Sequence, residues 1–136
     1  MTAPLPSAIA LVTLGVADLA RATRFYEALG FVLSRSQSSD SVSFFRAGGV
    51  VLGLFGRAAL AADAGLVDGP PSPFGGITLA RNLPSREAVD SAFTDAIAAG
   101  ATALKPPQEV FWGGYSGYVA DLDGHPIELA WNPFFP

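Results

Sequence analysis

The segment Ile9-Ala10-Leu11-Val12-Thr13-Leu14-Gly15-Val16 is apolar, short and rich in β-branched residues, and Asp18 follows it closely. Such a run reads as a strand, and Asp18 as the N-cap of a helix. Leu19, Ala22, Tyr26 and Leu29 then recur at helical spacing with Phe25 beside them, and Gly30 supplies the stop. Phe31 to Gln37, Ser41 to Ala47 and Val50 to Phe55 read as three strands. Ser38-Ser39-Asp40 is a turn, and Gly48-Gly49 closes a tight hairpin.

The same order is then written a second time. Gly76-Ile77-Thr78-Leu79-Ala80 echoes the first strand, and Pro84-Ser85 starts a helix. Val89, Ala92, Phe93, Ala96 and Ile97 form its apolar stripe, and Gly100 closes it as Gly30 did. Ala101 to Lys105 is a strand ended by Pro106-Pro107. Tyr115 to Asp121 and Pro126 to Trp131 are two more, around the turn Asp121-Leu122-Asp123-Gly124. The expected fold class is therefore α+β: tandem βαβββ modules forming a curved mixed sheet around a central cleft. Residues 1–136 make one domain, with module one at about 7–56, a linker at 57–74 and module two at about 75–132. Gly56 to Phe74 reads as a connector with one helical turn at most, either a plain surface loop or a lid.

Composition narrows what such a domain does. Of 136 residues, 50% are hydrophobic and 15% charged, which excludes a disordered chain. The net charge of -4 and scattered basic residues argue against nucleic acid and anionic membrane as partners. No apolar run approaches the roughly 18 residues of a membrane span. Met1 to Ser7 carries two prolines and no Lys or Arg, unlike a secretory signal, so the expected location is cytoplasmic. There is no Cys, and His125 is the one histidine, so thiolate chemistry and a multi-histidine site within one chain are excluded.

Strand alternation sorts the side chains. Val12, Leu14 and Val16 suit the helix side, which turns Leu11 and Thr13 toward the concavity. Ile77 and Leu79 pack under the second helix, with Gly76 and Thr78 opposite. Ile127, Leu129 and Trp131 form a core set, with Pro126, Glu128 and Ala130 facing the cleft. Ser116 and Tyr118 share the cleft parity, and Trp112 and Tyr115 flank Gly113-Gly114 at its mouth. Laying Gly48-Gly49 on Gly124-His125 sets Leu52 against Glu128.

These residues resemble the glyoxalase/bleomycin resistance/dioxygenase superfamily, also called the vicinal oxygen chelate superfamily. The resemblance rests on Leu11-Val12-Thr13-Leu14-Gly15-Val16-Ala17-Asp18-Leu19 with Phe25-Tyr26 and Gly30-Phe31. It rests also on the closing Tyr118-Val119-Ala120-Asp121-Leu122-Asp123-Gly124-His125-Pro126-Ile127-Glu128-Leu129. Phe111-Trp112-Gly113-Gly114-Tyr115-Ser116-Gly117-Tyr118 resembles an uncharacterised, glyoxalase-like bacterial subgroup. The resemblance implies a divalent metal held by one residue from the first and one from the last strand of each unit. Carried over, those places are Leu11, Leu52, Gly76 and Glu128, and only Glu128 offers a donor atom. The expectation is thus no cofactor and no metal ligands, since a catalytic ion usually takes three protein ligands.

The resemblance then implies a metal-free protein binding a small aromatic or amphipathic molecule, as antibiotic-sequestering relatives do. Glu128 and Tyr118 are the candidate catalytic pair, and Thr13, Thr78, Trp112, Tyr115 and Ser116 the candidate ligand-binding residues. Glu128 equally fits a solvated strand face; inside an apolar cleft its pKa would rise, making it a general acid or base. Thr13 and Thr78 are either paired pocket hydroxyls or strand formers. His125 reads as a turn residue. Arg46 and Lys105 are the basic residues nearest the cleft, and the pattern does not fix their parity. Alternatives are a lyase, isomerase or dioxygenase of the same superfamily, or an interaction module. The resemblance and the apolar tail Trp131-Asn132-Pro133-Phe134-Phe135-Pro136 imply a homodimer.

Overall fold

β1 (Leu11–Val16), α1 (Leu19–Ala28), β2 (Val32–Leu33), β3 (Val42–Ala47) and β4 (Val50–Gly56) make the first module in a computed structural model that describes residues 5–70 and 72–134. α2 (Arg57–Asp63) continues straight from β4. The second module holds β5 (Leu79–Asn82), α3 (Arg86–Ala98), β6 (Thr102–Glu109), β7 (Tyr115–Ala120) and β8 (Pro126–Trp131). Each module is a four-stranded mixed sheet, in the orders β1-β4-β3-β2 and β5-β8-β7-β6. In each, the first strand lies parallel to the last and the remaining pairs are antiparallel. The tandem βαβββ architecture is as expected, but the sheets remain two, with no backbone ladder between them.

The helices form where the caps direct. Asp18 accepts a hydrogen bond from the Arg21 amide at 3.0 Å, and Ser85 from the Ala88 amide at 3.1 Å. Gly30, at φ 94°, turns the chain out of α1 as only glycine does readily. One core collects Leu14, Phe25, Phe45 and Leu54 from the first module with Val89, Val119, Ile127 and Leu129 from the second.

Side-chain bonds fasten the modules together at the β7–β8 turn. The Tyr26 hydroxyl donates to Asp121 Oδ2 at 2.6 Å, both residues buried. Asp121 Oδ1 accepts the amides of Asp123 and His125, each at 2.9 Å. Asp123 in turn accepts the Ala17 amide at 2.8 Å, and His125 Nε2 lies 2.8 Å from the Gly15 carbonyl oxygen. On the other flank Arg81 donates to the Leu29 carbonyl at 2.6 Å and stacks over Phe31. The Tyr26 phenol is pushed far above its ordinary range, first by burial and then by the Asp121 carboxylate.

Several elements depart from the sequence reading. The second strand is two residues, because the chain turns at Arg35 instead of continuing to Gln37. The connector holds two turns of helix in α2, an alanine-rich stretch with high helix propensity. β5 starts at Leu79, after Gly75 and Gly76, so Ile77 is exposed rather than packed. β6 runs through Pro106-Pro107 instead of ending there. It is an edge strand, where proline is tolerated, and its register shifts at those residues.

Candidate functional site

Pairing registers place the two modules' chemistry residue by residue. In the second module Glu128 on β8 lies between Ala80 on β5 and Tyr118 on β7. In the first module the strand pairing that buries Phe45 against Leu52 matches that of Val119 with Ile127. The counterpart of Glu128 is therefore Gly53, flanked by Thr13 and Phe44. This corrects the pairing of Leu52 with Glu128: Leu52 faces the core. The cause is loop length, two residues between Ala47 and Val50 against five between Ala120 and Pro126. Gly76 likewise precedes β5, and Ala80 occupies the place opposite Glu128.

A cavity of about 310 Å³ opens on this face of the second sheet. Glu128, Tyr118 and Ser116 form its floor, with Trp112, Lys105 and Gln108 among its walls. All of its lining residues belong to the second module, so this cavity lies on one sheet, whereas the expected cleft lies between the modules. Ser116 is buried, while Glu128 and Tyr118 are half-buried. The Tyr118 phenol is pushed above its ordinary value by burial and by the adjacent Glu128 carboxylate, with which it hydrogen-bonds. At neutral pH the pair is thus a protonated phenol beside a carboxyl group. Trp112 reaches the cavity because Gly114 has no side chain: a Cβ there would overlap the indole ring.

The other predicted site residues lie elsewhere. Tyr115 points to the opposite face, where its hydroxyl donates to Asp90 on α3 at 2.6 Å, so it does not flank the cleft mouth. Thr78 is exposed ahead of β5, and the true counterpart of Thr13 is Ala80. Thr13 borders a separate hollow of about 240 Å³ with Gly15, Ile77 and His125. Lys105 and Gln108, which parity alone leaves undecided or unnoticed, line the cavity; Arg46 does not. Phe135 and Pro136 of the tail lie outside the described residues.

The donor set does not fit a divalent metal. Around Glu128 the neighbouring strand offers Ala80, and the equivalent positions of the first module offer Gly53 and Thr13. Among the described residues no three His, Cys, Asp or Glu side chains converge.

The sequence model of the Glyoxalase/Bleomycin resistance protein/Dioxygenase superfamily matches residues 8–129. The chain belongs to this superfamily. Among solved structures it is similar to a glyoxalase-related enzyme from Fulvimarina pelagi, at 32% identity over 96% of this chain and 92% of that one, with a TM-score of 0.86. A glyoxalase/bleomycin resistance protein/dioxygenase from Nocardioides shares 25% identity over 97% and 87% of the two chains, with a TM-score of 0.74. A lactoylglutathione lyase from Agrobacterium tumefaciens shares the fold, with 23% identity over 96% and 97% and a TM-score of 0.66. No curated protein matches the chain. Among the described residues no helix is long and apolar enough to cross a membrane.

Proposed function

We propose that the protein binds a small aromatic or amphipathic molecule on the β6–β8 face of the second module, without a resident metal, as a cytoplasmic homodimer. The observation that carries this reading is the Tyr118–Glu128 pair on the floor of a cavity walled by Trp112. Its volume falls at the lower end of small-molecule pockets, roughly 300–1,000 Å³. The indole offers a flat apolar wall, and the phenol and carboxyl groups offer directional hydrogen bonds. The homodimer reading draws on Phe111 and Phe134, exposed large apolar rings that a partner surface would cover.

Elemental analysis and thermal melting with Mn, Ni and Zn test the metal-free part. The expected result is no stoichiometric metal and no shift; saturable stabilisation at micromolar metal would overturn it. Calorimetric titration with naphthalene derivatives tests binding, and Trp112→Ala is expected to abolish it.

The same pair favours a second reading, proton transfer as in an isomerase or lyase. Glu128 would take a carbon-bound proton beside a carbonyl, and the freed electron pair would move onto the carbonyl oxygen. That oxygen would receive the Tyr118 hydroxyl proton. Loss of solvent exchange at such a carbon in both Glu128→Gln and Tyr118→Phe would support it; exchange unchanged in either would exclude it.

A further inference from the structure

Lys105 and Gln108 are three residues apart, a spacing that would put them on opposite faces of a regular strand. Both nevertheless line the cavity, Lys105 paired with Tyr118 and Gln108 with Ser116. The register shift between them, at Pro106-Pro107, inserts the residue that restores their common side. Across the ladder stands Gly117. A Cβ there would lie 2.8 Å from the Pro107 nitrogen and 2.9 Å from the Lys105 carbonyl oxygen. Two prolines and one glycine thus aim a cation and an amide into the cavity.

Lys105 is the one lysine of a chain whose net charge is -4. Arg35, Arg57 and Arg86 sit against carboxylates, whereas Lys105 has no ion-pair partner among the described residues. Lys105, Tyr118 and Glu128 lie side by side on three adjacent strands. At about 4.8 Å per strand the lysine and glutamate backbones are roughly 10 Å apart. Glu109, also in the lining, is engaged by Arg86 at 2.9 Å, so the β6 side of the cavity offers the Lys105 cation and the β8 side the Glu128 carboxylate, with the indole of Trp112 as a further wall.

We infer that this cavity selects an amphipathic organic acid. Its acidic group pairs with Lys105 and Gln108, its flat apolar body lies against Trp112, and a hydroxyl or amino group donates to Glu128. The inference rests on the proposed binding function of this site and adds the charge of the ligand.

Calorimetric titration with 6-hydroxy-2-naphthoate and its methyl ester provides the test. The acid is expected to bind about tenfold tighter than the ester, the size of one charge-assisted hydrogen bond at a partly exposed site. Lys105→Gln should abolish that preference by weakening the acid far more than the ester, with the melting temperature unchanged, and Lys105→Arg should restore it. An acid preference that survives Lys105→Gln, or an equal loss for acid and ester, would overturn the anion subsite and leave the binding function standing. Failure of acid and ester alike to bind would overturn both.

Discussion

The two modules share a frame and differ in what they place on it. At three matched positions the first module has Thr13, Gly53 and Phe44 where the second has Ala80, Glu128 and Tyr118. The pairing that carries a glycine in one sheet carries the carboxylate in the other, and a phenyl ring becomes a phenol. On the helix side the exchange runs the opposite way. Tyr26 and Phe93 each lie two turns past their N-caps, Asp18 and Ser85, and only the first carries a hydroxyl. One scaffold thus occurs twice in the chain. The second copy carries the polar groups on its open sheet face, and the first carries on its helix the hydroxyl that holds the neighbouring turn.

Swapping residues between the copies tests this division. The largest effect is expected from Gly117→Ser, which installs the first module's Ser43. Its Cβ meets backbone atoms of Lys105 and Pro107, so β6 must move, at a cost of about 3 kcal/mol in chemical denaturation. A variant as stable as the parent would show that the tight approach of β6 is dispensable. Next comes Tyr26→Phe, which gives α1 the ring of α3 and leaves buried Asp121 short of a donor, costing about 2 kcal/mol. It also carries a pH signature. Unfolded tyrosine ionises near pH 10 (about) while folded Tyr26 stays protonated, so its contribution is complete below that pH and lost above it. Tyr26→Phe should flatten this alkaline fall in stability; an unchanged slope would count against the buried pair.

Ser43→Gly, the reverse exchange, should cost about 1 kcal/mol. It removes the 2.7 Å hydrogen bond with Thr23 and adds backbone freedom, but clashes with nothing. The smallest difference lies in the exposed ion pairs. Arg86→Ala loses Glu109 and the Trp131 ring and should cost under about 1 kcal/mol. Glu27→Gln, whose partner Arg35 is 4.0 Å away, should shift the melting temperature immeasurably.

The order of the two βαβββ units, the Asp18 N-cap, the start of α3 near Ser85, the closing glycines and the core stripes apart from the exposed Ile97 were legible in the sequence, because each depends on local spacing. The inward carboxylate was legible for the same reason: Ile127, Glu128 and Leu129 alternate on one regular strand. What escaped depends on pairing across strands. Lys105 could not be assigned a face, because alternation fails at a bulge. The pair Pro106-Pro107, against which Gly117 packs at Pro107, is the signal that could have shown it. Matching hairpins by their glycines misplaced Gly53, since turns of unequal length offset everything after them. Tyr115 shares its alternation with Gly117 and Val119, which already set it on the helix side.

The two prolines of β6 also bear on how copies of the protein can meet. Pro106 and Pro107 lie at a register shift of the edge strand β6, and neither has an amide hydrogen to donate. A neighbouring polypeptide laid along that margin would find a donor missing where the ladder should continue. Extension of the second sheet across its β6 edge from copy to copy is thereby discouraged.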